Sequence, residues 1–377
     1  MSQTRRLYSL DIFRGLVIAA MILVNNPGSL DYVYRPLDHA EWNGMTPTDL
    51  IFPFFIVIMG ISTAFSLKKY DYRWSWPAAR KILRRTVVLM LIGYATGWLS
   101  RFLARIYEEP FWSAVKNFDT ARILGVMVRL ALVYLFVSIL ALSVPHKALP
   151  WISAGILAVY SIVLLAGHGF ELSSRNIVGI VDRAVLTPAH MYHGAPLDPE
   201  GILSTFPTIA QGIIGFLCGR MILQKKENSI RMKHLFLSGF GMAALGWALS
   251  YGIPLNKKVW SPTFVLVTSG LAFMNLAFLI WLVDEKGKRN WLTFFESFGM
   301  NAMFIFIIST VLAILLGEIQ IHTGGSSLSI WDAFYLFATV SWIPNPYFAS
   351  LCDALVFMVL MWLCSYPLFR RKIYIKV

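Results

Sequence analysis

The chain has 377 residues, of which 57% are hydrophobic and 14% are charged, and its mean hydropathy is +0.63. Soluble domains usually carry about 25% charged residues, so this composition excludes an ordinary soluble protein. The formal net charge of +13 does not indicate a nucleic-acid partner, because the basic residues lie between the apolar runs, where they set membrane topology. The sequence predicts an all-α polytopic membrane protein, embedded in a lipid bilayer as a single domain over residues 1–377.

Apolar runs of about 20 residues, the length that crosses a ~30 Å hydrocarbon core, predict about ten transmembrane helices. Asp11 and Arg14 interrupt the first run and no small-residue cleavage site follows it, so we interpret it as a retained span rather than a signal peptide. Near the end of the chain, the shorter stretch SIWDAFYLFATVSW predicts an interfacial or re-entrant helix. The expected bounds of the ten spans are 8–25, 47–66, 86–105, 121–143, 149–166, 203–223, 235–252, 262–283, 291–316 and 348–368.

Basic residues are divided unequally between the two sets of connecting loops. One set holds 22 lysines and arginines and the opposite set holds six. The positive-inside rule therefore predicts that both termini are cytoplasmic. The long loops 26–46, 168–202 and 317–347 are then on the outer side, and long loops of this kind often carry function.

Ionisable side chains inside apolar runs are costly, and each is a candidate functional residue. Asp11 and Arg14 lie three residues apart on one face of the first span. They form either a structural ion pair or a site in which Arg14 holds an anion entering from the cytoplasm. Arg122 and Arg129 are seven residues apart in the predicted fourth span. A buried guanidinium there requires a carboxylate from another helix or a bound anion.

Two helix ends border the first outer loop. Asn25 is followed by Asn26, Pro27 and Gly28, which either stop the helix or leave the Asn25 amide to orient a substrate. Thr46, Pro47, Thr48 and Asp49 match a capping box that begins the second span. Asp49 in this position could also orient an imidazole from the loop. Asp198 similarly matches a cap for the sixth predicted span.

His39 is the leading candidate for a general base, because neutral imidazole accepts a proton near pH 7. A predicted tight turn at Trp42, Asn43 and Gly44 follows it in the loop. We predict no metal site, because the spacing of the other outer histidines and of the cysteines is not that of metal ligands. These residues are His168, His190, His193, His322, Cys218, Cys352 and Cys364.

The segments SLDIFRGLVIAAMILVNNPGS and HAEWNGMTPTDLIFPFFIVIMGIS resemble the bacterial relatives of heparan-α-glucosaminide N-acetyltransferase, a family of transmembrane acyltransferases. The similarity continues in family order along nearly the whole chain. Val128 departs from the family, which often has glutamine there, and the loop between Asn25 and His39 is longer than in the animal enzyme. The further matching segments are RILGVMVRLALVY, VDRAVLTPAHMY, DPEGILSTFPTIAQGIIGFLCGR, PLNKKVWSPTFVL, GMNAMFIFI and FRRKIYIKV.

The resemblance implies that cytoplasmic acetyl-CoA donates an acetyl group to the amino group of a glucosamine-type sugar or related glycan at the outer face. It makes His39 the catalytic histidine, acting as a base or as a transient acetyl carrier, and Asn25 its polar partner. Asp49 completes the predicted catalytic set. O-acetylation of a cell-envelope polysaccharide and transport of a sugar or anion remain alternatives.

The resemblance also implies roles for other polar residues, which we assign by their predicted side of the membrane. We expect a bare helical core in a bacterial cytoplasmic (inner) membrane, with a homodimer among the open oligomeric states. Expected to bind coenzyme A are Arg14, Arg80, Arg84 and Arg85, with Arg122, Arg129 and Asn301 along the route between the faces. Expected to form the sugar site are Asp182, Arg183, His190, Asp198, Glu200, Trp42 and Asn43.

Overall fold

The computed structural model describes residues 7–192, 196–225, 227–323 and 326–375. Within these ranges the chain forms fourteen α-helices and one two-stranded hairpin. Outside them lie His193 and four basic residues of the predicted inner loops, Arg5, Arg6, Lys226 and Lys376. The helices are α1 Tyr8–Asn25, α2 Ile51–Leu67, α3 Trp76–Arg105, α4 Phe111–Val115, α5 Val126–Ser143, α6 Leu149–Ala166, α7 Ile177–Leu186, α8 Ile202–Gln224, α9 Asn228–Leu249, α10 Pro262–Leu279, α11 Thr293–Met300, α12 Ala302–Glu318, α13 Ile330–Phe334 and α14 Pro346–Arg370.

Eight helical segments in the described ranges are long and apolar enough to cross a membrane, and the bent pair α11 and α12 makes a ninth if it counts as one span. The expectation of an all-α polytopic membrane protein is therefore confirmed. The predicted seventh span falls on α9, which has 22 residues. This helix is not among the eight segments, and it carries Arg231, Lys233 and His234 in its first turns. The eight segments are α1, α3, α5, α6, α8, α14, Pro47–Tyr70 around α2, and Pro262–Glu285, which begins with α10.

Several predicted spans differ from the observed helices, most clearly at α3 and at the bend between α11 and α12. Helix α3 begins ten residues earlier than predicted, because Ser75 caps it by accepting a hydrogen bond from Ala78 N–H (3.3 Å) and Pro77 follows in the first turn. The predicted span 291–316 is bent by 87° between α11 and α12. Asn301 lies at this bend, between the end of one helix and the start of the next.

The long loop 317–347 has its own short elements. Strands β1, Gln320–Thr323, and β2, Ser326–Ser329, pair antiparallel. Helix α13 follows and continues as one π-helical segment, Tyr335–Val340. The chain thus forms a short apolar helix over Ile330–Val340, where the sequence predicted an interfacial or re-entrant one.

Helices α2 and α8 pack with their backbones in close contact. A Cβ atom added to Gly60 would lie 2.4 Å from the carbonyl oxygen of Gly212, and one added to Gly215 would lie 2.5 Å from that of Val57. Small residues allow this approach between membrane helices. Gly215 lies against Val57, and Gly219 lies against Ile61. Residue numbers thus increase in the same direction along both helices, which therefore run parallel. Their N-terminal ends therefore lie at the same end of the bundle.

This packing predicts that the methyl group of Gly215→Ala destabilises the protein. The added carbon would meet backbone atoms of α2, which cannot rotate away, and we expect a loss of about 1–3 kcal/mol in the free energy of unfolding. Gly155→Ala in α6 is the matched control, because a Cβ there meets nothing within 4 Å. Thermal unfolding in detergent should show a lower Tm for Gly215→Ala only, and equal Tm values would contradict the interface described.

Candidate active site

Asp49 lies in a single 3-10 turn, Pro47–Leu50, directly before α2. Its side chain is fully buried. Its Oδ2 atom accepts hydrogen bonds from the backbone N–H groups of Thr46 (3.0 Å) and Ala40 (3.1 Å). The first of these bonds belongs to the predicted capping box, and the second holds the loop that carries His39. Asp49 thus begins a helix and also fixes the loop beside it.

His39 contacts the same carboxylate. Its Nδ1 atom lies 2.7 Å from Asp49 Oδ1, and 49% of the His39 side chain is exposed, against none of the Asp49 side chain. An ionised carboxylate can only accept hydrogen bonds. We therefore assign the proton to Nδ1, which leaves the lone pair of Nε2 directed away from Asp49. A carboxylate that fixes the tautomer of a histidine in this way is the arrangement of a general base.

Lys257 from the loop between α9 and α10 completes a His39 cluster of three residues, His39, Asp49 and Lys257. Its Nζ atom lies 3.4 Å from Asp49 Oδ1, and 3.0 and 3.4 Å from His39 Nδ1 and Nε2. Burial lowers the pKa of Lys257, although the charge of Asp49 acts in the opposite direction. No sequence pattern singled out this residue. The available signal was a lysine in one of the predicted outer loops, which hold few basic residues.

The loop around His39 is fastened to its neighbours. The backbone turns at Gly44, where φ is +113°, as the predicted tight turn requires. Trp42 Nε1 donates to the carbonyl oxygen of Phe170 (2.7 Å) and the Asn43 amide oxygen accepts from Asn256 Nδ2 (3.1 Å). Trp42 and Asn43, predicted to contact the acceptor, therefore tie three loops together.

A second group of charges, the Arg122 cluster, consists of Arg122, Asp198 and Glu200. Arg122 Nε donates to Asp198 Oδ2 (3.0 Å), and Arg122 Nη2 bonds to both carboxylates. Burial alone would lower the pKa of Arg122, but the bonds and charges of the two acids raise it overall. The sequence placed Arg122 inside the fourth span. The structure corrects this, because α5 begins at Val126 and Arg122 precedes it.

The cap of α8 also differs from expectation. Gly201 occupies the cap position and makes no side-chain bond, so the prediction of Asp198 as the cap was wrong. Asp198 instead binds Arg122, and the buried carboxylate of Asp182 accepts from the backbone N–H of Ile202 (2.8 Å) at the start of the helix. Burial raises the pKa of Asp182 to about 6.

Two further predicted sugar-site residues bind backbone carbonyl groups. The guanidinium of Arg183 donates to the carbonyl oxygens of Pro196 (2.5 Å) and Ser174 (2.6 Å). His190 Nδ1 lies 2.8 Å from the carbonyl oxygen of Ala121. These contacts shape the loop around α7 and leave these groups less available to an acceptor.

Arg129 is fully buried in α5. Its Nη2 atom donates to the carbonyl oxygen of Gly201 (3.2 Å) and to the hydroxyl of Ser204, and its guanidinium lies 5.4 Å from the ring centre of Trp260. Among the described residues, its Nε and Nη1 atoms have no hydrogen-bond partner. Beside it Val128, where the family often has glutamine, packs in an apolar cluster.

Asn25 is separate from the His39 cluster. It lines a cavity of about 420 Å³ between α1 and α12, together with Asn26, Thr310 and Glu318. In the part of the chain that the structure describes, no hydrogen bond joins Asn25 to His39. Asn25 is exposed and lines this cavity.

The predicted coenzyme A residues have different surroundings. Arg14 forms the predicted ion pair with Asp11 (3.1 Å). It also donates to the hydroxyl of Ser62 (3.1 Å). Arg80 and Arg84 on α3 are exposed.

Two more residues of this set are held by neighbouring groups. The guanidinium of Arg85 lies 4.6 Å from the ring centre of Tyr134. Asn301 donates to the carbonyl oxygen of Ile373 (3.0 Å) and accepts from the N–H of Ile375 (2.9 Å). The Asn301 amide therefore fastens the C-terminal segment to the bend between α11 and α12.

These features define a polytopic helical membrane protein with a carboxylate-oriented histidine beside the start of a membrane helix. The sequence model of the family described as heparan-alpha-glucosaminide N-acetyltransferase, catalytic, matches residues 6–251. The chain belongs to this family, which confirms the resemblance. The matched region contains His39, Asp49 and the Arg122 cluster, and it ends before Lys257.

Two curated proteins are similar over most of this chain. Heparan-alpha-glucosaminide N-acetyltransferase of Homo sapiens is 26% identical over an alignment of 363 residues, and the match covers 80% of this chain and 52% of the human protein. The Mus musculus protein of the same name is 26% identical over an alignment of 371 residues, and the match covers 82% of this chain and 54% of the mouse protein. The chain thus spans about half the length of the curated relatives it matches.

The geometry of the Arg122 cluster predicts a large stability loss for Arg122→Gln. This change leaves two buried carboxylates without their cation, and breaking a buried pair in this way typically costs about 3–5 kcal/mol. Arg105→Gln is the matched control, because its pairs with Glu109 and Asp119 are partly exposed and worth at most about 1 kcal/mol. Thermal unfolding in detergent checks both variants. An Arg122→Gln protein as stable as Arg105→Gln would contradict the pairing.

Proposed function

We propose that the chain is a transmembrane acetyltransferase, which moves the acetyl group of cytoplasmic acetyl-CoA to the amino group of a glucosamine-type sugar at the outer face. The observation that carries the proposal is the bond between His39 Nδ1 and the buried carboxylate of Asp49. Family membership supports the reaction class, because the matching family is described as an N-acetyltransferase catalytic region.

The reaction divides the work between these two residues. His39 Nε2 takes a proton from the sugar amine while the nitrogen attacks the thioester carbonyl carbon. The C–N bond forms, the C–S bond breaks, and the departing thiolate receives the proton from His39, so that the products are the acetamide and free coenzyme A. Asp49 holds the imidazole in one tautomer and stabilises the imidazolium that forms in between. We propose direct transfer, because a pocket reached from both faces needs no separate acetyl carrier.

The donor would approach from the opposite end of the bundle. The phosphates and adenine of coenzyme A are too polar to enter the hydrocarbon region, whereas the narrow pantetheine arm can pass between helices. Arg80 and Arg84 are exposed near the start of α3, and a guanidinium is well suited to phosphate. The 18 residues of α1 are about 27 Å long at 1.5 Å per residue. The arm would enter the bundle along this helix and carry the thioester toward the end of α1, where the loop that holds His39 begins.

The proposal predicts that His39→Ala abolishes thiol release by the purified chain incubated with acetyl-CoA and glucosamine. Asp49→Asn should lower kcat by roughly 10²–10⁴-fold, because the amide cannot hold the required tautomer. His168→Ala is the matched control, since His168 also bonds to a carboxylate, Glu171 (2.8 Å), but in an exposed pair. We expect wild-type rates for this control.

The products of the same incubation separate the alternatives. Mass spectrometry should find N-acetylglucosamine in an amount equal to the thiol released. Acetylation of hydroxyl groups only would replace the proposed acceptor with an O-linked one. Accumulation of glucosamine in vesicles without thiol release would overturn the proposal and favour a transporter. Asp49 also begins α2, so a lower kcat in Asp49→Asn counts for the proposal only if the Tm of this variant is close to that of the wild type. His39 is half-exposed, and His39→Ala can be tested without that condition.

A further inference from the structure

Lys257 is held in place by the surrounding loops rather than by its own contacts alone. Its neighbour Asn256 is fully buried. The side-chain Nδ2 of Asn256 donates to the side-chain oxygen of Asn43, and the side-chain Oδ1 of Asn256 accepts from the N–H of Val259 (3.1 Å). Asn256 N–H donates to the hydroxyl of Ser261 (3.0 Å) at the start of α10. The loop that carries Lys257 is thus fixed to the loop that carries His39.

When Nδ1 of His39 carries the proton, the ammonium of Lys257 has more N–H donors than the acceptors beside it can use. Asp49 Oδ1 accepts from His39 Nδ1, so that nitrogen has no lone pair to offer Lys257. An ammonium has three N–H donors and no acceptor, and Asp49 Oδ1 at 3.4 Å can take only one of them. Among the described residues, the remaining polar neighbour within hydrogen-bond distance is His39 Nε2 at 3.4 Å, which is the nitrogen that meets the substrate.

A cation in this position faces the atom that gains charge during acyl transfer. When the amine attacks the thioester, the carbonyl oxygen becomes an oxyanion. Donors placed in advance at such an oxygen are among the largest contributions to catalysis. Lys257 reaches the same nitrogen of His39 that the attacking amine must reach, so the carbonyl oxygen of the attacked thioester would come within range of its ammonium.

We propose that Lys257 is a catalytic residue that stabilises the oxyanion formed on the acetyl group while His39 handles the proton. The inference rests on the proposed acetyltransferase function and adds a residue to it. In the addition step, the C=O pair of electrons moves to oxygen beside the ammonium. In the second step that pair re-forms the carbonyl as the C–S bond breaks, and Lys257 keeps all of its protons throughout.

The test compares Lys257→Met with Lys258→Met in the purified full-length chain, with acetyl-CoA and glucosamine as substrates. Both changes remove one positive charge from the same loop, but only Lys257 contacts His39. We expect Lys257→Met to lower kcat by about 10²–10³-fold, the typical effect of removing one oxyanion donor. The KM values for both substrates and the Tm should stay close to the wild type, and Lys258→Met should keep the wild-type kcat.

A chemical rescue separates the charge from a structural role. Lys257→Cys treated with 2-bromoethylamine regains an ammonium on a side chain of nearly the same length, and kcat should recover by at least about tenfold. The wild type treated in the same way controls for modification of Cys352 and Cys364, since the structure places neither fully in the interior.

Three results would overturn the assignment while leaving the proposed function intact. These are a near wild-type kcat in Lys257→Met, a loss that appears only as a raised KM, and a lowered Tm with no rescue by alkylation. If the wild type releases no thiol while His39 and Lys257 are both intact, the proposed function fails and this role fails with it.

Discussion

The site depends on the hydrogen bonds and the ion pair made by the carboxylate of Asp49. It is fully buried and accepts hydrogen bonds from the backbone of Thr46 and Ala40 and from His39, with Lys257 beside it. A buried carboxylate is tolerated only when donors and cations surround it. Those donors come from the turn before α2, from the loop between α1 and α2 and from the loop before α10. Satisfying one charge therefore fixes the relative positions of three segments.

The same requirement organises the neighbouring loops. Asp198 and Glu200 precede α8 and are held by Arg122, which precedes α5. Helices α5 and α8 each begin beside charged residues that pair with the other segment. Such pairing is needed because an isolated charge is poorly solvated within a membrane. The close packing of α2 on α8 at Gly60 and Gly215 brings these helix ends to the same end of the bundle. Glycine packing and charge pairing thus act together to build one polar region.

This arrangement suits a reaction between groups that arrive from opposite sides. A half-exposed imidazole on a buried, rigid support meets solvent without losing its orientation. The Asn25 cavity lies at the end of α1 that leads into the loop carrying His39. The proposed chemistry requires only that the thioester crosses the hydrocarbon region, while the charged part of coenzyme A stays behind. Helix α3 begins ten residues before its predicted start, and these added residues include Arg80 and Arg84 at the end of the bundle opposite His39.

The sequence by itself determined the helices and the pairing within short segments. Apolar runs of sufficient length must become helices in a bilayer, and the bounds of α1 and α6 agree with their predicted spans. The capping motif at Asp49 was also local, which is why its second contact with a loop histidine ten residues away could be anticipated. Only the tertiary structure decided the partners of Arg122, 76 residues from Asp198, and the approach of Lys257, 218 residues from His39. Such contacts depend on how helices pack, and hydrophobic periodicity carries no information about which charged loop will face which.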